Sequence, residues 1–274
     1  MTNSTKITCI QSELQTPPDT AISSVYILDS GVIELQTQNK SPPNLLNYRR
    51  ISGTSYVDNS TGEIKEFRQS ENRSGNKRSL SHLRRLLLHN LKGDGSELHI
   101  TLTFSIPVAD VHELSGHVKR FIGRLRNRYS IEYIAILDAH ESGNLHLHLL
   151  LLKRNGGKLF IPYCDIDSIW GHGRIWGRRV RKADNLPYYF TTKEKVERLR
   201  FYPPRTRLFR CSAGIKKVVP LKISYKDARK LVSGLVLNHA KTIRVMQNNV
   251  QINCITYEQF TSNTKSDERI GKKL

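Results

Sequence analysis

Two histidines separated by one leucine, His146-Leu147-His148, are the residues of this chain best suited to chemistry. Side chains alternate across a strand, so both imidazoles emerge on one face while Leu145, Leu147 and Leu149 pack on the other. Their backbone positions then lie about 7 Å apart, a span at which two imidazoles can grip one divalent ion. Ser142-Gly143-Asn144 reads as a turn, and folding about it brings Asp138 beside His146 as a third ligand. Two neutral nitrogens and one carboxylate leave coordination positions open for water and a phosphate oxygen. A second group runs from Asn185 to Lys193, where Pro187 can open a helix carrying Tyr189 and Lys193 four residues apart on one face. A phenol is a poor nucleophile until a cation or metal favours its anion, and Lys193 is suited to stabilise that charge. Tyr188 points about 100° away on the same helix, so the two tyrosines cannot share one target. Each pattern also has a plain reading, as surface histidines and as aromatic core packing.

The elements that must position these residues are legible. Glu97 to Phe104 alternates, with Leu98, Ile100, Leu102 and Phe104 facing a core and His99, Thr101 and Thr103 on the polar side. The polar trio would flank the histidine strand if the two strands pair. Asp110 reads as the N-cap of a helix, Glu113 as its capping-box partner, and Val111, Leu114, Val118, Phe121, Ile122 and Leu125 fall at core spacing. Tyr133 to Asp138 and Leu145 to Lys153 form the hairpin that carries the histidines. Leucines 80, 83, 87 and 91 mark another helix ending before Gly93, and Asp165 to Trp170 a short one before Gly171-His172-Gly173. Trp170 reads as a core anchor, Trp176 as core or base-stacking, and His112, His117 and His172 as surface residues. The fold class expected is α+β, an antiparallel sheet with helices packed on it.

Domain limits are expected at 1–50 for a loosely ordered N-terminal extension, 51–217 for the domain carrying the site, and 218–274 for a C-terminal extension. The first holds a hairpin centred on Asp29-Ser30-Gly31, and Tyr56 to Ile64 is a turn between β-prone residues. The last holds a weak helix (Ser224 to Leu235), two β-like runs (Thr242 to Met246, Val250 to Tyr257) and a charged tail from Lys265.

Charge points to the partner. Forty-four Lys and Arg against 24 Asp and Glu give +20 over 274 residues, and only 38% of residues are hydrophobic. That balance argues against an enzyme for small neutral metabolites and favours a polyanion, because cations that neutralise phosphates release condensed counterions. Between Trp170 and Lys217 there are fourteen Lys/Arg and three Asp/Glu, so nucleic-acid contact is expected at Arg174, Arg178, Arg179, Arg181 and Lys182 and from Arg198 to Arg210. Cys9, Cys164, Cys211 and Cys254 make no Cys-x-x-Cys pair, which excludes a zinc ribbon or disulfide framework and suggests a reducing compartment. No leader pattern and no membrane-length apolar run occurs, so a cytoplasmic protein without membrane contact is expected. No phosphate-loop motif and no internal repeat occurs either.

Taken in order, Leu98 to Phe104, Ala135 to Asp138 with Gly143 to His148, Ile169 to Gly173 and Asn185 to Thr192 resemble the motifs of rolling-circle replication initiators of the HUH endonuclease superfamily. The likeness is to the replication-associated proteins of small plasmids and filamentous phages, and covers roughly Tyr56 to Gly214. It implies metal-dependent nicking and joining of single-stranded DNA at an origin, with Mg²⁺ or Mn²⁺ held by Asp138, His146 and His148. It implies Tyr189 as the nucleophile, leaving a 5′-phosphotyrosine and a free 3′-hydroxyl. Lys193 is its charge-stabilising partner in catalysis. Relatives more often carry Glu as the acidic ligand, which keeps Glu141 as an alternative to Asp138. Many carry Lys three residues after the tyrosine, where this chain has Thr192 and then Lys193. The partners implied are origin DNA, a host helicase and a host polymerase, with a homo-oligomer left open. A transposase or conjugative relaxase would use the same chemistry. From other classes, two histidines and a carboxylate also describe the facial triad of non-haem iron oxygenases, and a non-catalytic basic nucleic-acid-binding protein would bind without forming any covalent adduct.

Overall fold

The computed structural model describes residues 7–40, 48–52, 55–66, 73–108, 110–182, 185–202, 206–247 and 250–262. The Pro42-Pro43 pair, the tail from Lys265 and the side chain of Lys193 lie outside the described residues. In chain order the elements are β1 (Ile7–Ser12), β2 (Ile22–Ile27), β3 (Ile33–Lys40), β4 (Tyr48–Arg50), β5 (Ser55–Asp58), β6 (Ile64–Glu66), α1 (Arg73–Asn90) and β7 (Asp94–Leu102). There follow α2 (Val111–Arg128), β8 (Ile131–Ala139), β9 (Leu145–Lys153), α3 (Tyr163–Trp170), β10 (Ile175–Arg181), α4 (Leu186–Tyr189) and α5 (Lys193–Glu197). A 3₁₀ helix (Arg198–Phe201) leads to β11 (Phe209–Cys211), β12 (Leu221–Ser224), α6 (Tyr225–Leu231), β13 (Val236–Gln247) and β14 (Val250–Thr261). The class is α+β, with antiparallel sheets and helices packed on them.

Two compact units divide the chain, and one is inserted in the other: Gln69–Lys217 separates Met1–Arg68 from Val218–Leu274. This differs from the expected independent extensions at either end. Residues 7–40 are not loosely ordered, because β1 pairs with β13, β3 with β14 and β2 with β12 in a six-stranded sheet ordered β1-β13-β14-β3-β2-β12. The Asp29-Ser30-Gly31 hairpin forms as expected, with Gly31 at φ 84. Helix α6 begins at Ser224, whose hydroxyl accepts the Asp227 N–H, and buries Ala228 with Val25, Leu35, Val232 and Phe260. A separate three-stranded sheet, β4-β5-β6, belongs to the same unit. Its Asp58–Gly62 turn is fixed by Asp58, which accepts from Ser60 and pairs with Lys65 at 2.7 Å.

The inserted unit is a five-stranded antiparallel sheet ordered β10-β7-β9-β8-β11. Strands β8 and β9 are almost wholly buried, which requires cover on both faces. Helix α1 packs with α4, its His82 meeting Phe209 at 5.8 Å, and α2 meets α3 through Phe121 on Trp170 at 5.6 Å. Trp170 is 2% exposed and donates its indole N–H to the Thr103 carbonyl, the core role expected of it. Asp110 caps α2 by accepting the His112 N–H, while Glu113 lies 3.7 Å from His117 instead of closing a capping box. The glycines after α3 have separate duties. Gly171 ends the helix at φ 63, and a Cβ on Gly173 would stand 2.5 Å from the Thr103 carbonyl oxygen, so only glycine admits that backbone approach.

Candidate metal centre

The β8–β9 hairpin sets the ligands in register. Gly143 takes φ 85 in the turn, its N–H bonds the His140 carbonyl, and Asp138 falls opposite His146 while Ile136 falls opposite His148. Directly opposed residues share a face, so the carboxylate and both imidazoles converge. Asp138 Oδ2, His146 Nε2 and His148 Nε2 form a triangle whose three edges are each 3.2 Å. An ion about 2.1 Å from three such ligands would hold them about 3.0 Å apart at right angles and about 3.4 Å apart at tetrahedral angles. The triangle fits a divalent ion. The other carboxylate oxygen, Oδ1, accepts the Ala139 N–H at 2.9 Å, which orients Oδ2 toward the imidazoles. Glu141 is excluded from this cluster: its side chain is 82% exposed and pairs with Arg198 at 3.2 Å.

Behind His148 stands a layer that the alternation of β7 half disclosed. Thr101 lies opposite His148, and the His148 Nδ1 is 3.1 Å from both the Thr101 hydroxyl and His99 Nε2. A metal on Nε2 requires the proton on Nδ1, and these two acceptors hold the ring in that tautomer. His99 is not a solvent-face residue but is 3% exposed. Burial, reinforced by the charges of His148 and Arg178, pushes it down to about 3, so it is a neutral acceptor at physiological pH. Burial likewise lowers His148, against the hydrogen bond from Asp138, and keeps the imidazole free to coordinate. Burial alone would raise Asp138, but hydrogen bonds from His146, His148 and Lys195 outweigh it and hold the acid well below the ordinary carboxylate range.

The tyrosine segment departs from the expected continuous helix. Asn185, the one described non-glycine residue at positive φ (48), turns the chain sharply out of β10 into the four-residue α4. Thr191 closes that turn by bonding its N–H and hydroxyl to the Tyr188 carbonyl, and Thr192 opens α5 in extended conformation. Two adjacent β-branched residues resist an unbroken helix. Tyr189 is 43% exposed and its ring lies 6.2 Å from that of His148, whereas Tyr188 is turned to Arg84, 5.7 Å from its ring. Phe190 is buried against His148 and His99 at 5.1 and 6.2 Å.

Sequence reasoning missed Lys195. Its ammonium donates to Asp138 Oδ2 and lies 4.7 Å from the centre of the Tyr189 ring, so it links the carboxylate to the tyrosine. Thr192, an N-capping residue type before a charged run, was the available signal that a new helix starts there and brings Lys195 back to the site. Tyr202 was also missed; it is buried beside Asp138, and burial together with that charge pushes its hydroxyl far up.

The five cations expected to contact nucleic acid do not form one footprint. Arg178 shares the face of His99, its partner in register. Arg179 is tied into the structure by hydrogen bonds to the Gly95 and Leu159 carbonyls. Arg179 and Arg181 line a cavity of about 660 Å³ with Lys92, Lys158 and Gly95. Lys182 adjoins it, its N–H bonded to the Gly93 carbonyl, and Arg174 is exposed where its carbonyl takes Thr103. That cavity sits at the Asp94 end of β7, about 23 Å of strand from Thr101.

Residues 97–195 match the ORF2 family of replication-associated proteins. The match opens two residues before His99 and closes on Lys195, so all the residues gathered at the metal cluster except Tyr202 fall within it. It supports a part in the initiation of replication for this chain. No curated protein and no solved structure matches the chain. Among the described residues no helix is long and apolar enough to cross a membrane.

Proposed function

We propose that this chain is a rolling-circle replication initiator of the HUH endonuclease type, which nicks and rejoins single-stranded origin DNA through one tyrosine. The observation that carries this reading is the placement of Tyr189 and Lys195 against the Asp138-His146-His148 cluster, with Tyr188 turned away. Asp138, His146 and His148 would hold Mg²⁺ or Mn²⁺, and the ion would polarise the scissile phosphate. The Tyr189 oxygen attacks phosphorus, a P–O bond to the phenol forms and the bond to the 3′-oxygen breaks. The phenolic proton leaves, and a proton taken up by the 3′-oxygen gives a free 3′-hydroxyl opposite a 5′-phosphotyrosine. One phosphodiester replaces another, so the reverse attack by a 3′-hydroxyl rejoins the strand without ATP. Lys195 supplies positive charge beside the ring for the phosphoryl oxygens, the role the sequence assigns to Lys193. Phe190 and Tyr202 keep water from the inner side of the cluster. Arg174 and Arg178 contact the strand near the cluster, and Arg179, Arg181 and Lys182, with Lys92 and Lys158, contact phosphates farther along. A separate helicase and polymerase act on the opened DNA.

The test mixes the protein with labelled single-stranded origin DNA, with Mn²⁺ or with chelator, and looks for a denaturation-resistant adduct. The expected result is an adduct that requires metal, persists in Tyr188→Phe and disappears in Tyr189→Phe. Loss in Tyr188→Phe alone would move the nucleophile by one residue. Absence of any adduct while DNA binding persists would make the chain a non-catalytic nucleic-acid-binding protein.

A further inference from the structure

Strand β10 is an edge of the five-stranded sheet, and its exposed side chains lie in the row of the metal ligands. Trp176 is opposite Thr101, and Thr101 is opposite His148, so the indole, hydroxyl and imidazole share one face across three neighbouring strands. Two strand spacings separate Trp176 from His148, about 10 Å between backbones. The indole is 52% exposed although His99 meets it edge-on at 5.9 Å, and the Arg178 guanidinium lies 5.3 Å from its centre. The other tryptophan, Trp170, is 2% exposed. A large aromatic half in water, flanked by a guanidinium and beside a metal cluster in a chain of +20, has the elements of a stacking platform for nucleic acid.

We infer that Trp176 and Arg178 form a subsite for one unpaired nucleobase, belonging to a nucleotide next to the phosphate at the Asp138-His146-His148 cluster. The identity of that nucleotide rests on the function proposed above; the base-stacking itself does not. The base must be unpaired because a platform lying on a sheet takes a base by its flat face, which neighbouring bases cover inside a duplex. Stacking on an indole is tolerant of base identity, since every base has such a face. The subsite therefore anchors the strand and fixes its register at the cluster, leaving sequence choice to other contacts.

Both tryptophans can be followed by fluorescence, and Trp170 is shielded, so quenching by DNA reports Trp176. Wild-type protein is titrated with single-stranded oligonucleotide in chelator, where no strand is cut. Quenching is expected with the single strand and little with the same sequence as duplex. Trp176→Leu should lose the quenching and bind single strands about 5- to 150-fold more weakly, whereas Trp176→Phe should recover most of the affinity. A series of oligonucleotides with one abasic site each should reveal one position at which wild type loses affinity and Trp176→Leu does not. Equal quenching by duplex, or unchanged affinity in Trp176→Leu, would overturn the subsite. Failure of the two readings is distinguishable. Quenching without any Tyr189 adduct would leave a base-binding site on a non-catalytic protein, and an adduct without quenching would remove the subsite and leave the chemistry.

Discussion

The two sheets of this chain use the same antiparallel pairing over very different distances along the sequence. In the inserted unit, Asp138 and His146 face one another across a turn of a few residues, and the ligands are in register once that turn closes. In the other unit, Ile7 pairs with Gln247 and Asn39 with Cys254, strands that come from opposite ends of the chain. Local pairing holds chemistry in place with few conditions; distant pairing depends on everything between. The interiors differ accordingly. The inserted unit buries a long run of apolar side chains on both faces of β8 and β9. The other sheet instead carries Ser23, Thr37, Thr242 and Thr256 in its interior, with hydroxyl pairs at 2.7 and 3.4 Å.

The comparison breaks most visibly at Lys195. In chelator it is the cation that compensates Asp138, and both side chains are less than 10% exposed. Lys195→Met should therefore destabilise the inserted unit by about 3–5 kcal/mol without metal and recover much of the loss in Mn²⁺, read by urea unfolding of the two tryptophans, both of which belong to that unit. A smaller loss separates the cores: Leu149→Ala and Leu35→Ala, each about 3 kcal/mol, should act on different units. Tryptophan unfolding should detect the first, and hydrogen exchange along β3 the second, with Mn²⁺ affinity unchanged by Leu35→Ala. Next comes His99→Leu, which keeps the packing but removes an acceptor for His148. It should weaken Mn²⁺ binding about tenfold in calorimetry, and an unchanged affinity would show that Thr101 alone holds the tautomer.

The smallest effect concerns pH in the unit built from the two chain ends. Burial raises Glu258, against the charge of Arg229, and its Oε2 has no partner. An acid raised in the folded state favours folding below its unfolded value of 4.5, and that contribution is lost as pH rises through the folded value. Stability of this unit should thus fall from pH 4 toward neutrality by about 1 kcal/mol, and Glu258→Gln should flatten the slope followed by circular dichroism.

Legibility in the sequence follows the same division. The His-Leu-His strand, its turn and Asp138 could be read because alternation and a glycine turn are local rules, and the structure places them as those rules require. Lys195 escaped because its position depends on a helix broken at Thr191-Thr192, where a period of 3.6 no longer carries a side chain forward. His99 was visible as a residue but not as a buried one, since alternation shows that a residue shares a face without showing that Phe190 closes over it. The N-terminal strands looked like a loose extension because their partners lie more than two hundred residues away, and no pattern of spacing identifies a partner at that distance.

That separation also fixes an order of events during synthesis. The inserted unit is complete once residue 217 has emerged, before any of β12, β13 or β14 exists. Strand β1 must wait from Ile7 until Gln247 for its neighbour, 240 residues later, about 10–50 s of translation. During that interval the β2–β3 hairpin can close on itself, while β1 has no strand to pair with. The protein thus leaves the ribosome with its metal cluster assembled first and its terminal sheet last.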